Sequence, residues 1–202
     1  MTPFTKCHSM AACIMESNVD TDAIFPARYL LLLDREGMGE YLFYDRRFDA
    51  KGTPNADFVL NDPRFSKAQI IISGDGFGCG SSREQAVWAL AGFGIRCIIA
   101  PSFGDIFKNN CLKNGILTIE LPSPTVHDFA EHAKAGALLE VDLPTRAVAI
   151  ESGPVALFEI RSEDAKALLN GWDQTMRILL EDGEAITTFE TRHRNAQPWL
   201  FS

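Results

Sequence analysis

The 202-residue sequence lacks the features that mark several large classes of protein. Its five cysteines form no Cys-x-x-Cys pair, and this scattered spacing argues against a metal or iron–sulfur site held by this chain alone. An odd number of cysteines also favours a reducing compartment over a disulfide framework. No apolar stretch is long enough to span a membrane, and Met1 to Glu16 lack the apolar region of a secretory signal. These absences predict a cytoplasmic chain that holds no metal of its own.

Basic residues and histidines are also scarce. The chain has 19 Lys and Arg against 27 Asp and Glu, and the net charge of −8 argues against nucleic acid as a main partner. The four histidines show no catalytic-triad spacing. Hydrophobic residues at 46% and charged residues at 23% are ordinary for a soluble protein, and the length is enough for one domain over residues 1–202.

A glycine-rich turn between a predicted strand and a predicted helix is the most informative stretch. Three isoleucines at 70–72 precede it, and it reads Gly76-Phe77-Gly78-Cys79-Gly80-Ser81-Ser82-Arg83-Glu84. Two hydroxyl groups and a guanidinium therefore stand where a helix begins. Backbone N–H groups are unpaired there and the helix dipole is positive, so the place attracts a carboxylate or phosphate and can stabilise an alkoxide.

The same turn also has structural interpretations. Ser81-x-x-Glu84 is a capping box, so Ser81 can serve only to cap the helix, and the glycines only to admit close backbone packing. Cys79 suits the turn as a small residue and has no neighbouring histidine that would make it a nucleophile. A Rossmann fingerprint fails at Ser81, where its third glycine belongs, and no Gly-Lys-Ser/Thr of a Walker loop occurs. Nucleotide binding is therefore not predicted.

Predicted strands and helices alternate through the chain, which indicates an α/β fold with crossover connections. The expected strands are 4–14, 69–73, 95–100, 115–121, 138–142, 147–150 and 155–160. The expected helices are 83–93, 102–114, 124–135, 162–170 and 173–181, with a further segment at 184–191 after an acidic turn. A partly irregular connection is expected at about 34–66, with a short helix near 38–43. A tail at about 192–202 ends in Trp199-Leu200-Phe201, which can dock on a partner.

Two further polar stretches stand beside the predicted strands. If Asp20-Thr21-Asp22 is extended, both carboxylates face one side, where they can bind a metal, orient a neighbouring group or hold a protein. The alternative is an Asx-type turn with solvated acids. Ser102 opens a second strand-to-helix junction, at the same sheet end as Ser81 in a parallel arrangement, and ligands gather at that end.

Three motifs in order resemble those of one family. They are Asn18-Val19-Asp20-Thr21-Asp22 with Pro26, Gly78-Cys79-Gly80-Ser81-Ser82-Arg83-Glu84, and Pro101-Ser102-Phe103-Gly104-Asp105-Ile106-Phe107. The chain resembles the small subunits of 3-isopropylmalate dehydratase, which are related to the mobile C-terminal domain of aconitase. The resemblance covers nearly the whole chain. It implies a swivelling β/β/α three-layer domain that closes over an active site on a larger subunit.

The resemblance also implies a reaction and roles for individual residues. The reaction dehydrates 2-isopropylmalate and rehydrates it with the hydroxyl moved, in leucine biosynthesis, and requires a large subunit that carries the [4Fe–4S] cluster. Ser81 is implied as the base, working as an alkoxide, and Arg83 as a bidentate ligand of a substrate carboxylate. Ser82 is implied to add a hydrogen bond to the substrate. Thr21 and Asp22 match the other active-site turn, with Asp22 orienting groups around the substrate and cluster.

Substrate choice is expected to depend on the stretch after Pro26, which reads Ala27-Arg28-Tyr29-Leu30-Leu31-Leu32-Leu33. Its apolar run, with Leu31 and Leu32, suits an isopropyl group. An inward-pointing Arg28 would instead favour a more acidic substrate, and Gln85 stands where the family commonly has histidine. Two alternatives therefore remain: a hydro-lyase for a methyl-substituted malate, of citraconate or dimethylmalate type, and a free-standing carboxylate-binding protein.

Overall fold

Two four-stranded sheets form the framework of the chain. The structure, a computed structural model, describes residues 1–32 and 34–201, so the expectations that involve Leu33 and Ser202 lie outside the described residues. One sheet is antiparallel, in the order β1 (Lys6–Ser9), β6 (Leu139–Asp142), β7 (Ala147–Ile150) and β8 (Val155–Leu157). The other is parallel, in the order β2 (Ala11–Ile14), β3 (Ile70–Ser73), β4 (Cys97–Ala100) and β5 (Leu117–Glu120).

Helices pack against both faces of the parallel sheet. On one of these faces, the antiparallel sheet packs together with them. They are α1 (Thr21–Ile24), α2 (Tyr44–Arg47), α3 (Glu84–Phe93), α4 (Asp105–Lys113), α5 (Ser123–Lys134), α6 (Ser162–Asn170) and α7 (Gln174–Ala196). Ile71 and Ile98 of the parallel sheet pack in one core with α3 and α4. Ile70 and Ile72 point the other way, into a second core with α5, α6 and the antiparallel sheet. This stacking follows from strands that are apolar on both faces, and it confirms the predicted α/β three-layer class.

The strand expected over residues 4–14 is two strands in different sheets. β1 pairs antiparallel with β6, whereas β2 pairs parallel with β3, so the chain changes sheets at Met10. Ser9 satisfies polar groups at the change: its hydroxyl donates to the Met10 carbonyl oxygen at 2.8 Å and accepts from the Gln69 N–H at 3.0 Å. The prediction of one strand over residues 4–14 was wrong, because the apolar pattern continues without a break at Met10, where the paired strand changes from β6 to β3.

The connection over residues 34–66 is irregular in structure but packed against α3. It holds α2 and 3₁₀ turns at Met38–Tyr41, Val59–Asn61 and Pro63–Phe65. Its buried side chains share the core with α3. Gly39 lies so close to Gly92 of α3 that a Cβ at Gly39 would stand 2.5 Å from the Gly92 carbonyl carbon. Close packing against α3 therefore fixes the position of the connection over residues 34–66.

The C-terminal part differs most from expectation. The sequence predicts a helix that ends at residue 181, an acidic turn after it and a separate segment at 184–191. Instead, α7 runs unbroken from Gln174 to Ala196, with a 3₁₀ turn at Pro198–Leu200 after it. Asp173 caps α7 by accepting from the Met176 N–H at 2.8 Å. Gly183 stays inside the helix, instead of adopting the left-handed conformation with which glycine ends helices. In the described part of the chain no helix has both the length and the apolar character needed to cross a membrane.

Candidate active site

Three loops meet at the carboxyl ends of the parallel strands. The loop after β2 joins the glycine turn through the pair Asp20 and Cys79, and the turn joins the loop after β4 through Phe77 and Phe103. The Gly78 N–H donates to the Val19 carbonyl oxygen at 2.7 Å. These bonds extend the sheet pairing past the ends of the strands. The three sequence motifs therefore come together, at the edge of the sheet where parallel folds bind ligands.

Two glycines allow this close approach. A Cβ at Gly104 would stand 2.5 Å from the Gly78 carbonyl oxygen, so the loop after β4 can reach the turn only without a side chain there. Gly78 itself has φ +74°, and a Cβ built on it would overlap the buried ring of Phe107 in α4. The glycines of the turn are therefore required by backbone conformation and by packing together.

Gly78→Ala is expected to lower the free energy of unfolding by about 3 kcal/mol, because about 1–2 kcal/mol of left-handed strain adds to overpacking against Phe107. Gly37→Ala is the matched control: Gly37 has φ +81° but open space around a Cβ. Its loss is expected to be about 1 kcal/mol, from strain alone. Urea unfolding of both variants measures the difference. Equal losses would show that the Phe107 contact does not constrain the turn.

Asp75 and Ser102 hold the glycine turn from the side of β4. The Ser102 hydroxyl donates to Asp75 Oδ1 at 2.6 Å and accepts from the Gly76 N–H at 2.9 Å. The sequence predicts that Ser102 opens the helix after β4, but α4 begins after Gly104 with no side-chain cap. The role of Asp75 in holding the turn is not predicted from the sequence. The only local signal was an acid between two glycines directly after a buried strand, Gly74-Asp75-Gly76.

Ser81 and Ser82 lie exposed just before α3. The capping box does not form: the residue that precedes α3 is Arg83, and no side chain caps that helix. The Glu84 carboxylate instead accepts from Trp88 Nε1 at 3.3 Å and from Asn114 Nδ2 at 3.1 Å. Among residues 1–32 and 34–201, neither serine hydroxyl has a hydrogen-bond partner. Both hydroxyls are thus available to an incoming molecule.

Thr21 is hydrogen-bonded to the backbone of Ser81. Its side chain is buried, and its hydroxyl donates to the Ser81 main-chain oxygen at 2.8 Å. Its own N–H donates to the Cys79 carbonyl oxygen at 3.0 Å. The resemblance implies a place for Thr21 in the active-site turn, and its hydroxyl donates to the backbone of the glycine turn; a contact of Thr21 with substrate stays a prediction. The hydrogen bond to the Ser81 backbone fixes where Ser81 stands relative to the loop after β2.

The two carboxylates of Asp20-Thr21-Asp22 have different hydrogen-bond partners. The segment is not extended: Asp20 caps the one-turn helix α1 by accepting from the Ala23 N–H at 2.7 Å, as in the turn alternative. Asp22 accepts from the Ala27 N–H at 2.8 Å and forms an ion pair with Arg83. Of the two alternatives, the structure therefore has the turn and not the extended segment with both acids on one side. Asp20 reaches the glycine turn through its backbone, whereas Asp22 pairs with Arg83 through its carboxylate.

Arg83 is held in place without using all its donors. Its side chain is 19% exposed, and Nη1 donates to Asp22 Oδ1. In the part of the chain that the structure describes, Nε and Nη2 have no acceptor. One edge of the guanidinium thus remains for the fork-like, bidentate pairing that arginine makes with a carboxylate.

The Asp22–Arg83 pair should be visible in a titration. The Arg83 guanidinium, with help from the Ala27 N–H, lowers the pKa of Asp22 below its ordinary value. Since the folded-state pKa is the lower one, the pair's stabilisation is present above about pH 4 and is lost as pH falls through that folded-state pKa. In Arg83→Gln the pKa of Asp22 is expected to rise toward the ordinary value, measured by carboxyl NMR.

Asp45 is the internal control for that titration. Its pKa is lowered by Arg28, a pair that does not involve Arg83, so it should keep its value in Arg83→Gln. An unchanged Asp22 pKa in the variant would mean that the ion pair is absent in solution.

The residues after Pro26 form an exposed rim near the site. Ala27–Tyr29 is a 3₁₀ turn tied to Asp22 through the Ala27 N–H, and Leu31 and Leu32 follow it, 90% and 37% exposed. Arg28 pairs with Asp45 and lies over the Tyr29 ring at 4.6 Å, so its charge is already matched. Arg28 is therefore not an unpaired, inward-pointing ligand, and Leu31 and Leu32 border a cleft that Asp34, Glu36 and Glu40 also line.

The cysteines do not offer a metal-ligand set. Burial raises the pKa values of Cys7 and Cys13 to about 11 and those of Cys97 and Cys111 well above the ordinary value, which disfavours the thiolates that metals require. Within residues 1–32 and 34–201, no three Cys, His, Asp or Glu side chains gather as ligands. This chain's own residues do not fit an iron–sulfur cluster.

Comparisons with known proteins agree with the motifs. A family model described as the aconitase C-terminal domain matches residues 1–124, and one described as the C-terminal domain of the 3-isopropylmalate dehydratase small subunit matches residues 180–202. The chain is 48% identical over 201 residues to a 3-isopropylmalate dehydratase small subunit from Rhodospirillum centenum, covering 98% of each chain. It is 45% identical to the protein of that name from Dinoroseobacter shibae, covering 99% of this chain and 100% of the relative.

A solved structure shows the same fold. The crystal structure of a 3-isopropylmalate dehydratase from Methanocaldococcus jannaschii matches with a TM-score of 0.66 at 26% identity, covering 92% of this chain and 99% of that one. Motifs, fold and relatives along the full length agree. The chain belongs to the family of 3-isopropylmalate dehydratase small subunits, and its residues 1–124 form an aconitase C-terminal domain.

Proposed function

We propose that this chain is the small subunit of a 3-isopropylmalate dehydratase, a hydro-lyase that interconverts 2- and 3-isopropylmalate by dehydration and rehydration in leucine biosynthesis. The observation that carries the proposal is that Asp22 pairs with Arg83, and Thr21 binds the Ser81 backbone, at the carboxyl ends of the parallel strands. A Ser81 hydroxyl without a partner in the described part of the chain, two residues from a guanidinium with an open edge, supports it. A dicarboxylate with a removable proton next to one carboxylate is the matching substrate. A cytoplasmic location stays a prediction.

Arg83 binds one substrate carboxylate through its open edge. Asp22 holds the guanidinium from the other side and keeps its plane fixed, since the carboxylate is itself anchored by the Ala27 N–H. A fixed, bidentate contact sets the distance from the bound carboxylate to the neighbouring carbon. Ser82 adds a hydrogen bond from its free hydroxyl.

Ser81 takes the proton from the carbon next to a carboxylate. That carbon acid is weak, so the base must be strong, and a serine alkoxide is strong enough if its charge is stabilised. The positive end of the ten-residue helix α3 and the Arg83 charge both favour the alkoxide. Thr21 fixes the Ser81 backbone, so the oxygen meets the substrate without rearrangement of the turn.

The second half of the site is expected on the large subunit. When bound there, the [4Fe–4S] cluster supplies a Lewis acid for the substrate hydroxyl and a carboxylate. The exposure of Ser81, Ser82 and Asp22 supports this division, because a complete small-molecule site usually surrounds its ligand. None of these three residues lines the cleft of about 620 Å³ that is bordered by Lys108 and Glu120.

The exposed Leu31 and Leu32 support isopropylmalate over a tricarboxylate, because the charge of Arg28 is already paired with Asp45 and the acids Asp34, Glu36 and Glu40 beside these leucines would repel a third carboxylate. A methyl-substituted malate would make the same contacts with Ser81 and Arg83 but fill less of this rim. Rim contacts with the isopropyl group are therefore proposed to set substrate preference.

Anaerobic dehydration of 2-isopropylmalate, followed by the absorbance of the conjugated alkene, tests the proposal. We expect activity only when this chain is mixed with a cluster-loaded large subunit. If the mixture shows no dehydration of 2-isopropylmalate while its spectrum shows an intact cluster, the isopropylmalate assignment is contradicted. Activity in the same mixture toward a methyl-substituted malate would then identify the substrate. Turnover by this chain alone would contradict the division of the site between two chains.

A further inference from the structure

The helix α7 presents an apolar stripe that this chain does not cover. The stripe consists of Met176, Leu179, Leu180 and Ile186, whose spacings of three, four and seven residues place them on one helix face. None of the 23 residues of α7 is buried, and Leu179 and Leu180 are each more than half exposed. An isolated helix in water is marginally stable, so a helix of this length depends on packing against something else.

Over residues 1–32 and 34–201, the ion pair and the cleft that connect α7 to the body of the domain lie in the first half of the helix. Arg177 pairs with Glu163 of α6 at 3.2 Å, and Ile178 lines a cleft with Leu112 and Ala167. Farther along, Phe189 stacks on His193 at 5.5 Å, and His193 in turn meets Phe201, so these rings pack within the tail. The cores beneath both sheets are filled without any residue of α7. The stripe is therefore not part of this domain's own core.

We propose that the apolar stripe of α7 docks the chain onto the large subunit of the enzyme. This rests on the proposed function, which requires such a partner. The segment 180–202 matches a model of its own, described for the C-terminal domain of these small subunits, whereas the aconitase C-terminal domain ends its match at residue 124. The helix is thus a feature of the small subunit as a separate chain, in addition to the catalytic domain.

Charge favours a different chain over a second copy as the occupant. Glu190 lies four residues after Ile186, on the same face of α7 as the stripe, and the chain carries a net charge of −8, so two copies brought together would repel each other. A partner groove that is apolar, with a basic side chain opposite Glu190, matches this face. We therefore expect that kind of groove on the large subunit.

The position of α7 leaves the catalytic edge free. The Met1 amino group donates to the Gly171 carbonyl oxygen at 2.9 Å just before α7, and Met1 also lies against Gly115, which precedes β5. The helix therefore starts near the amino ends of the parallel strands, whereas Ser81 lies past their carboxyl ends. Such an attachment holds the chain on its partner and raises the effective concentration of the catalytic face.

Binding and turnover measured separately test the proposal. We compare the full chain with Leu179→Asp and Leu180→Asp on the stripe and with Thr188→Asp on the opposite face of α7, using the cluster-loaded large subunit. The two stripe variants are expected to raise Kd by at least about 30-fold, as for buried interface residues, and Thr188→Asp by less than about 2-fold. At saturating large subunit, all three should keep the native kcat. Thermal unfolding verifies that each variant is folded.

Three results would overturn the proposal. The first is equal affinity of the stripe and Thr188→Asp variants for the large subunit. The second is a native dimer of the isolated chain that the stripe variants dissociate while their affinity for the large subunit stays native, which would assign the stripe to a second copy. The third is no binding of the native chain to the large subunit. If the native complex forms but leaves 2-isopropylmalate unchanged, the proposed function fails, while the Kd comparison still decides the docking role of α7.

Discussion

Ser81→Ala is expected to lower kcat of the reconstituted enzyme by about 10²- to 10⁴-fold, the range for loss of a positioned general base. The Ser81 hydroxyl is exposed and without a hydrogen-bond partner in the described part of the chain, so removing it costs the fold nothing. The main-chain oxygen that Thr21 binds is retained in the variant. KM and affinity for the large subunit should therefore stay close to native. Steady-state alkene formation at saturating large subunit measures the loss.

Ser82→Ala is the matched control for that experiment. Ser82 is the adjacent exposed hydroxyl and is expected to contribute one hydrogen bond, so its loss should cost roughly 10-fold. If the two alanine variants lose the same small factor, Ser81 is only a second hydrogen-bond donor and the base lies elsewhere. Matching unfolding temperatures of the two variants would exclude a difference in fold.

Arg83→Lys is expected to lower kcat/KM by about 10²-fold. The reason is that a single lysine ammonium cannot maintain the ion pair with Asp22 and also donate two parallel hydrogen bonds to the substrate carboxylate. The loss should appear in KM as well as kcat, since the carboxylate is bound before and during proton removal. Initial rates over a range of 2-isopropylmalate concentrations separate the two parameters.

Arg28→Lys provides the comparison for this variant. Arg28 also pairs with an aspartate, Asp45, and lies on the neighbouring rim, but it is not proposed to touch substrate. Its replacement should change kcat/KM by less than about 3-fold, in line with the small energies of exposed pairs. Equal effects of the two lysine variants would show that Arg83 acts only as a surface charge.

Local pattern was enough to predict the elements that carry the site. The isoleucine run, the glycine turn and the apolar helix after it identified β3 and α3, and repetition of that order identified β4 and α4. Parallel pairing then implied that Ser81 and Ser102 lie at one sheet edge, which the structure confirms through the Phe77 and Phe103 pair. These features depend on residues close together in sequence or on general rules of sheet topology.

Contacts between distant residues could not be predicted in the same way. Thr21 binds the Ser81 backbone across 60 residues, and nothing in Asp20-Thr21-Asp22 distinguishes a buried hydroxyl from one that faces substrate. The pair of Arg28 with Asp45 is equally invisible in the sequence. The unbroken α7 was missed because Gly183 among acids resembles a turn, whereas the conformation of that glycine depends on its surroundings.

A mixing experiment tests most directly whether one active site is shared by this chain and the large subunit. Turnover is measured at a fixed amount of cluster-loaded large subunit, with the total small chain saturating, while Ser81→Ala chain replaces native chain step by step. We predict a rate that falls in proportion to the Ser81→Ala fraction, because both chains compete equally for the partner and only the native one supplies the base. A rate that stays at the native level while the Ser81→Ala chain is bound would contradict the account and move the base to another residue.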